Sequence, residues 1–163
     1  TLLNQIRGRR GVTGEKPRYL REAEGRSKAE KVKARKAEEK AREFIGGYWD
    51  SIIEHYEFDK PHLKETPGYK HHGQMYDRLK APGGLEMMMD FFVDLQLWGT
   101  PEQVYDKIVT LQEETYMDGF MGVFSFAGMD HAESDRNMKL FARDVMPELQ
   151  ALAPVHERLG IPA

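Results

Sequence analysis

The stretch from Phe91 to Leu149 constrains the fold more than any other, because its residue pattern reads strand, helix, strand, helix. Phe91-Phe92-Val93-Asp94-Leu95-Gln96-Leu97-Trp98 is a short run of aromatic and aliphatic residues with the length of a strand, and Gly99 stops it. Thr100 then has the chemistry of a helix N-cap. Pro101 suits the first helical position, and Gln103 completes a capping box three residues after the cap. Val104, Ile108, Leu111 and Thr115 follow at helical spacing. Phe120-Met121-Gly122-Val123-Phe124-Ser125-Phe126 is apolar on both faces, as a parallel strand covered on two sides is. Ala127-Gly128-Met129 turns the chain, and Asp130 with Glu133 makes a second capping pair. Met138, Phe141, Val145 and Leu149 form one apolar stripe. Two βα units joined by short turns predict an α/β fold. Its parallel strands lie near 91–97 and 120–126, and its helices near 101–115 and 131–147.

Upstream, Ser27 and Glu30 form a capping box that predicts a helix from 28 to about 56. Ala37, Ala41, Phe44, Ile45, Tyr48, Ile52 and Tyr56 share one stripe of it. Gly46-Gly47 is its weak point, costing up to about 1 kcal/mol per glycine relative to alanine, and a place where another backbone can approach. Residues 57–90 hold Pro61, Pro67, Pro82, four glycines and His62, His71 and His72. That density of breakers predicts an irregular excursion with one short helix from Gln74 to Leu79. Met87-Met88-Met89 then leads into the first strand. Residues 1–26 read as an irregular segment, because Gly8, Gly11, Gly14 and Pro17 interrupt any helix begun by Leu2, Leu3 and Ile6. Residues 27–150 are the expected domain, and 151–163, with Pro154 and Pro162, a frayed tail.

Several function classes are excluded or weakened by composition. There is no cysteine, hence no disulfide and no thiolate metal site. No apolar run approaches the ~20 residues of a membrane span, and no signal-peptide pattern follows Thr1, so the expected location is cytoplasmic. A chain opening on threonine reads as a truncation, a processed end or an incomplete gene. Ser-His-Asp, Walker and GxGxxG signatures are absent. Adjacent His71 and His72 point apart on a helix or a strand, so even with His62 nearby they chelate poorly, and no metal is expected. Asp94, inside an apolar strand, reads as half of a buried ion pair, while Glu38-Glu39 and Glu113-Glu114 read as solvated helix faces. Charge is uneven: the first 43 residues hold 14 of the 24 Lys and Arg but 7 of the 27 Asp and Glu, a net of +7 against −10 for the rest. Such a segment can neutralise phosphates. It has few aromatics and four acids within the helix itself, so an exposed, salt-bridged helix explains it as well, and nucleic acid is not the expected partner.

"DFFVDLQLWGTPEQVYDKI" followed by "GFMGVFSFAGMDHAESDRNMKLFARDVMPEL" resembles the C-terminal end of the luciferase-like, flavin-dependent monooxygenases. "FIGGYWDSIIEHYEF" extends the resemblance back to Phe44, so it covers roughly residues 44–149. It implies the C-terminal part of a (β/α)8 barrel, helix-rich and with few parallel strands, about a third of a fold of about 250 residues. A barrel strand is then due before the long helix, where Arg18 to Glu24 is too polar to supply it. The implied activity is monooxygenation of a small organic substrate with dioxygen and reduced FMN, or a deazaflavin. A separate flavin reductase is the implied partner, and a homodimer is compatible with it. The ends of the two strands are where such folds place their chemistry. Gly99, Thr100, Ser125, Phe126 and Gly128 are therefore the candidate cofactor contacts. Each loop leads into a helix N-terminus, whose N–H groups and dipole favour a phosphate; equally, Thr100 and Asp130 simply cap and the glycines simply turn. The alternative to a fragment of such an enzyme is a non-catalytic binding module whose basic helix meets nucleic acid or protein.

Overall fold

The computed structural model describes residues 27–126 and 128–160, and every regular element among them is an α-helix. In chain order these are α1 (Lys28–Tyr56), α2 (His62–Glu65), α3 (Lys70–Lys80), α4 (Gly84–Leu95), α5 (Pro101–Thr115), α6 (His131–Asp144), α7 (Met146–Gln150) and α8 (Val155–Leu159). This overturns the α/β expectation: the described residues contain no strand and no part of a (β/α)8 barrel. The first expected strand lies mostly within α4. Glu86, Asp90 and Asp94 recur every fourth residue and so share one side of a helix, while Met88 and Val93 are buried on another. The second expected strand, 120–126, has no regular structure. A strand exists only through a neighbouring strand's hydrogen bonds, and none of the described residues provides one.

α1 begins as its sequence predicts. Ser27 N–H donates to Glu30 Oε2 at 2.7 Å, and Glu30 N–H donates to Ser27 Oγ at 3.3 Å. The helix stops at Glu57, whose φ of 53° is left-handed. Its buried residues are Ala41, Ile45, Gly46, Trp49 and Ile53. The buried stripe is thus rotated from the expected one, leaving Tyr48 and Tyr56 exposed.

The described residues divide into two compact units, 39–96 with 126, 128 and 129, and 27–38 with 97–125 and 130–160. In the first of these, Trp49, Ile53, Leu79 and Met88 form the buried core, with Phe58, Met75, Met89, Phe91 and Phe92 packed around it. Truncating a core tryptophan such as Trp49 to alanine typically costs about 3–5 kcal/mol. Residues 57–90 are largely helical rather than irregular, and α3 is longer than the expected Gln74–Leu79. The prolines do not interrupt these helices: Pro61 precedes α2, and Pro67 and Pro82 lie in connections. Two glycines make the close packing possible. A Cβ on Gly73 would sit 2.9 Å from Lys64 Cα, and one on Gly84 would overlap the Arg78 carbonyl oxygen. Arg42 on α1 pairs with Asp90 on α4 at 2.6 Å.

In the other unit, α5 packs on α6 and α8, and α6 meets α7. The single helix expected over 131–147 is two. Val145 turns out of helical geometry at φ −121°, and α7 restarts with Pro147 in its first turn. Proline lacks the N–H that would continue α6, and its ring clashes with the carbonyl four residues back. Val145 is 2% exposed, whereas Met138 of the expected stripe is exposed. The tail is not frayed up to Gly160. Val155 is buried, and Arg158 donates to Gln112 Oε1 at 2.5 Å and to Glu113 Oε1 at 3.2 Å. The readings made for 1–26 and for Pro162 lie outside the described residues.

Candidate functional site

Of the candidate residues, Gly99 and Thr100 start α5. Thr100 Oγ1 accepts from the Gln103 N–H at 3.4 Å, and Thr100 N–H donates to Gln103 Oε1 at 2.9 Å, a complete capping box. Thr100 Oγ1 also lies 3.3 Å from Glu102 Oε2. Gly99 has a φ of 142°, and a Cβ on it would fall 2.8 Å from Gln103 Cβ. Gln103 therefore fills this turn, Pro101 offers no N–H, and the Glu102 carboxylate stands at the helix start. The arrangement does not fit a flavin phosphate.

Lys107, which sequence reasoning missed, fixes the same loop. Its Nζ donates to the Trp98 carbonyl at 2.9 Å and sits 4.3 Å from the centre of the Trp98 ring. The available signal was helical spacing: Lys107 lies one turn beyond Gln103 on α5.

Phe126 and Gly128 form a separate turn. Met129 N–H donates to the Phe126 carbonyl at 3.0 Å, and Gly128 has a φ of 80°. Glycine adopts that conformation without the Cβ penalty of other residues. Beyond Gly128 itself and its two chain neighbours, no heavy atom of the described residues lies within 4 Å of the place a Gly128 Cβ would take. The half-buried Phe126 ring meets the edge of Tyr48 at 5.8 Å and 67°. Tyr48 in turn lies 6.3 Å from Phe92, and Phe92 lies 5.0 Å from Trp49. A chain of four rings thus runs from the turn to the core. Tyr48, on the stripe of α1 that its spacing predicts, is 41% exposed and serves as the wall of this turn. The indole Nε1 of Trp49 is buried with no hydrogen-bond partner among the described residues.

Ser125 is exposed. Asp130 caps α6 as expected, accepting from Glu133 N–H at 2.7 Å; Glu133 is itself buried and paired with Arg136. Asp94 is exposed on α4 and is not half of a buried pair in a strand. Glu113 is held by Arg158 and is not merely solvated. His72 stacks on Phe58 at 6.1 Å and 10°, and no group of three or more His, Cys, Asp or Glu suited to a metal occurs among the described residues. No described helix is long and apolar enough to cross a membrane. Titration is shifted at the exposed pairs Lys60–Glu57 and Arg143–Asp144. The hydrogen bond and charge of Lys60 hold the Glu57 carboxyl below its usual range and raise Lys60 in return, and the Arg143–Asp144 pair behaves likewise.

No protein-family model, curated protein or solved structure matches this chain.

Proposed function

We propose that this chain takes part in flavin-dependent monooxygenation, as its resemblance to the luciferase-like enzymes implies. The observation that carries the reading is the turn at Phe126 and Gly128: open, walled by the Phe126 and Tyr48 rings, and formed by the "FSFAGM" residues that carry the resemblance. Reduced FMN or a deazaflavin, when bound, would supply the electrons that activate dioxygen toward an organic substrate. Phe126 and Tyr48 offer apolar ring faces for a planar heterocycle. Gly128 lets such a ring approach the backbone, and Ser125, next to Phe126 in the chain, offers a hydroxyl to a ring carbonyl. Gly99 and Thr100 contribute by shaping the loop before α5 and not by holding phosphate. A flavin reductase is the partner this chemistry requires.

Anaerobic titration with reduced FMN, followed by tryptophan fluorescence, tests the reading. Saturable binding near roughly millimolar is expected, and it is lost in Phe126→Ala. Absence of saturation, or equal binding by Phe126→Ala, would refute it. A second reading, a binding module without catalysis, is favoured by one observation: every charged residue of α1 from Lys28 to Lys40 is exposed. A duplex-DNA gel shift lost on raising salt would favour that reading.

A further inference from the structure

The outward face of α1 carries a charge pattern that the flavin reading leaves unused. Lys33, Lys36, Lys40, Glu43, Gly47, Asp50 and Glu54 recur at alternating steps of three and four residues and are all exposed. That spacing keeps a row of side chains on one line of a helix and is the spacing of a helix-pairing seam. The opposite face, with Ala41, Ile45, Trp49 and Ile53, is buried in the chain's own core. Charge is segregated along the outward row. Its first half is wholly basic and its second half, after Lys40, wholly acidic apart from Gly47.

We propose that this row is a self-complementary docking surface through which two copies of the chain associate by antiparallel pairing of α1. A twofold axis beside Ile45 and Gly46 sets Lys36 opposite Glu54 of the second copy and Lys40 opposite Asp50 of the second copy. By symmetry each contact occurs twice, as in any isologous interface. Gly47 then faces Glu43 of the second copy. Apart from its chain neighbours and its own helix backbone, no heavy atom of the described residues lies within 4 Å of where a Gly47 Cβ would be, so the second helix can approach there. The parallel arrangement places Lys36 on Lys36 and Glu54 on Glu54, so the charges select orientation as well as partner. Lys40 also interacts within its own chain, and the second copy shares that charge rather than taking it over. An interface of exposed ion pairs is weak and screened by salt. The proposal is therefore a dimer formed at high concentration and low ionic strength.

Sedimentation equilibrium on the full chain tests this, run across concentration at low salt and again at about 1 M salt, where screening acts within ~3 Å. The dimer dissociation constant should rise roughly tenfold or more with salt, from the sum of four such pairs. Lys36→Glu with Lys40→Glu should give a monomer at low salt, as should Asp50→Lys with Glu54→Lys. Mixing the two reversed variants sets an all-acidic set of contact residues against an all-basic one and restores all four contacts, so a heterodimer should form at low salt; no association in the mixture overturns the proposal. The fourfold variant, which reverses the whole row, should dimerise again. Circular dichroism of each variant checks that it is folded; if a double variant fails to fold, Lys36→Gln with Lys40→Gln replaces it, with partial loss expected. A chain that is monomeric at low salt overturns the proposal, as does a dimer indifferent to salt or to either reversal, or a fourfold variant that stays monomeric. Retardation of duplex DNA by a strictly monomeric chain would assign the basic half to a polyanion and equally overturn it.

Discussion

Replacing Gly84 with alanine gives opposite signs under two lines of reasoning. By helix propensity alone, alanine is favoured over glycine by up to about 1 kcal/mol, so the change should stabilise α4. The packing says otherwise. A Cβ on Gly84 would overlap the Arg78 carbonyl oxygen, and it would also lie 3.0 Å from the Arg78 carbonyl carbon and 3.2 Å from the Leu79 oxygen. These are backbone atoms near the end of α3 and cannot swing aside as a side-chain tip can. Relief requires the start of α4 to move off α3, which strains the Gly84 N–H bond to the Ala81 carbonyl at 2.8 Å. It also loosens Leu79 against Met88, both of the buried core. Overpacking of this kind costs about 1–3 kcal/mol, and the strained hydrogen bond adds about 1 kcal/mol. The net expectation is a loss of about 2–4 kcal/mol, or roughly 4–16 °C in Tm for a chain of this size. Urea melts of Gly84→Ala measure it. Gly47→Ala is the control: it has open space, a mid-helix position and an expected gain of up to about 1 kcal/mol, read at high salt. A Gly84→Ala protein as stable as the parent would refute the close approach of α3 and α4.

Gly128→Val should cost about 1–3 kcal/mol of backbone strain in a melt, because φ is 80° there although space is open. Lys107→Met should shift Trp98 emission and cost about 1–3 kcal/mol, since it removes a charge-assisted bond to the Trp98 carbonyl together with the ring contact. The Glu57 carboxyl should titrate by NMR below its ordinary value of about 4.3, and Lys60→Met should return it there. Being depressed in the folded chain, this group stabilises above its unfolded pKa, and the contribution disappears as pH falls through the folded value.

Caps were the legible part of this chain. Ser27–Glu30, Thr100–Gln103 and Asp130–Glu133 each rest on a few adjacent residues, and each forms in the structure. Strands were not legible, because a strand needs a partner that local pattern cannot supply. Phe91–Trp98 is rich in β-favouring side chains, yet Asp94 was the sign against a strand there. With Asp90 and Glu86 it makes a row at helical spacing, visible once the window is extended back through the methionines. In 120–126, Phe120 and Phe124 lie 5.9 and 5.3 Å from Phe141, so apolar residues four apart reach one helix without any ladder. Breaker counting also failed over 57–90. Gly73 and Gly84 are there for close packing and not for turns, and composition alone does not separate the two uses. At the candidate site, Gly128 was readable from its turn, whereas Tyr48 was not, because only its contact with Phe126 separates it from a core tyrosine.

The central claim is that residues 84–95 are helical and that 120–126 has no strand partner among the described residues. Backbone NMR assignment of the full chain tests both at once. The account predicts helical Cα and carbonyl shifts from Gly84 to Leu95, sequential N–H contacts along them, and no cross-strand contact between 91–97 and 120–126. Extended shifts over Phe91–Leu97 with cross-strand contacts to Phe120–Phe126 would contradict it.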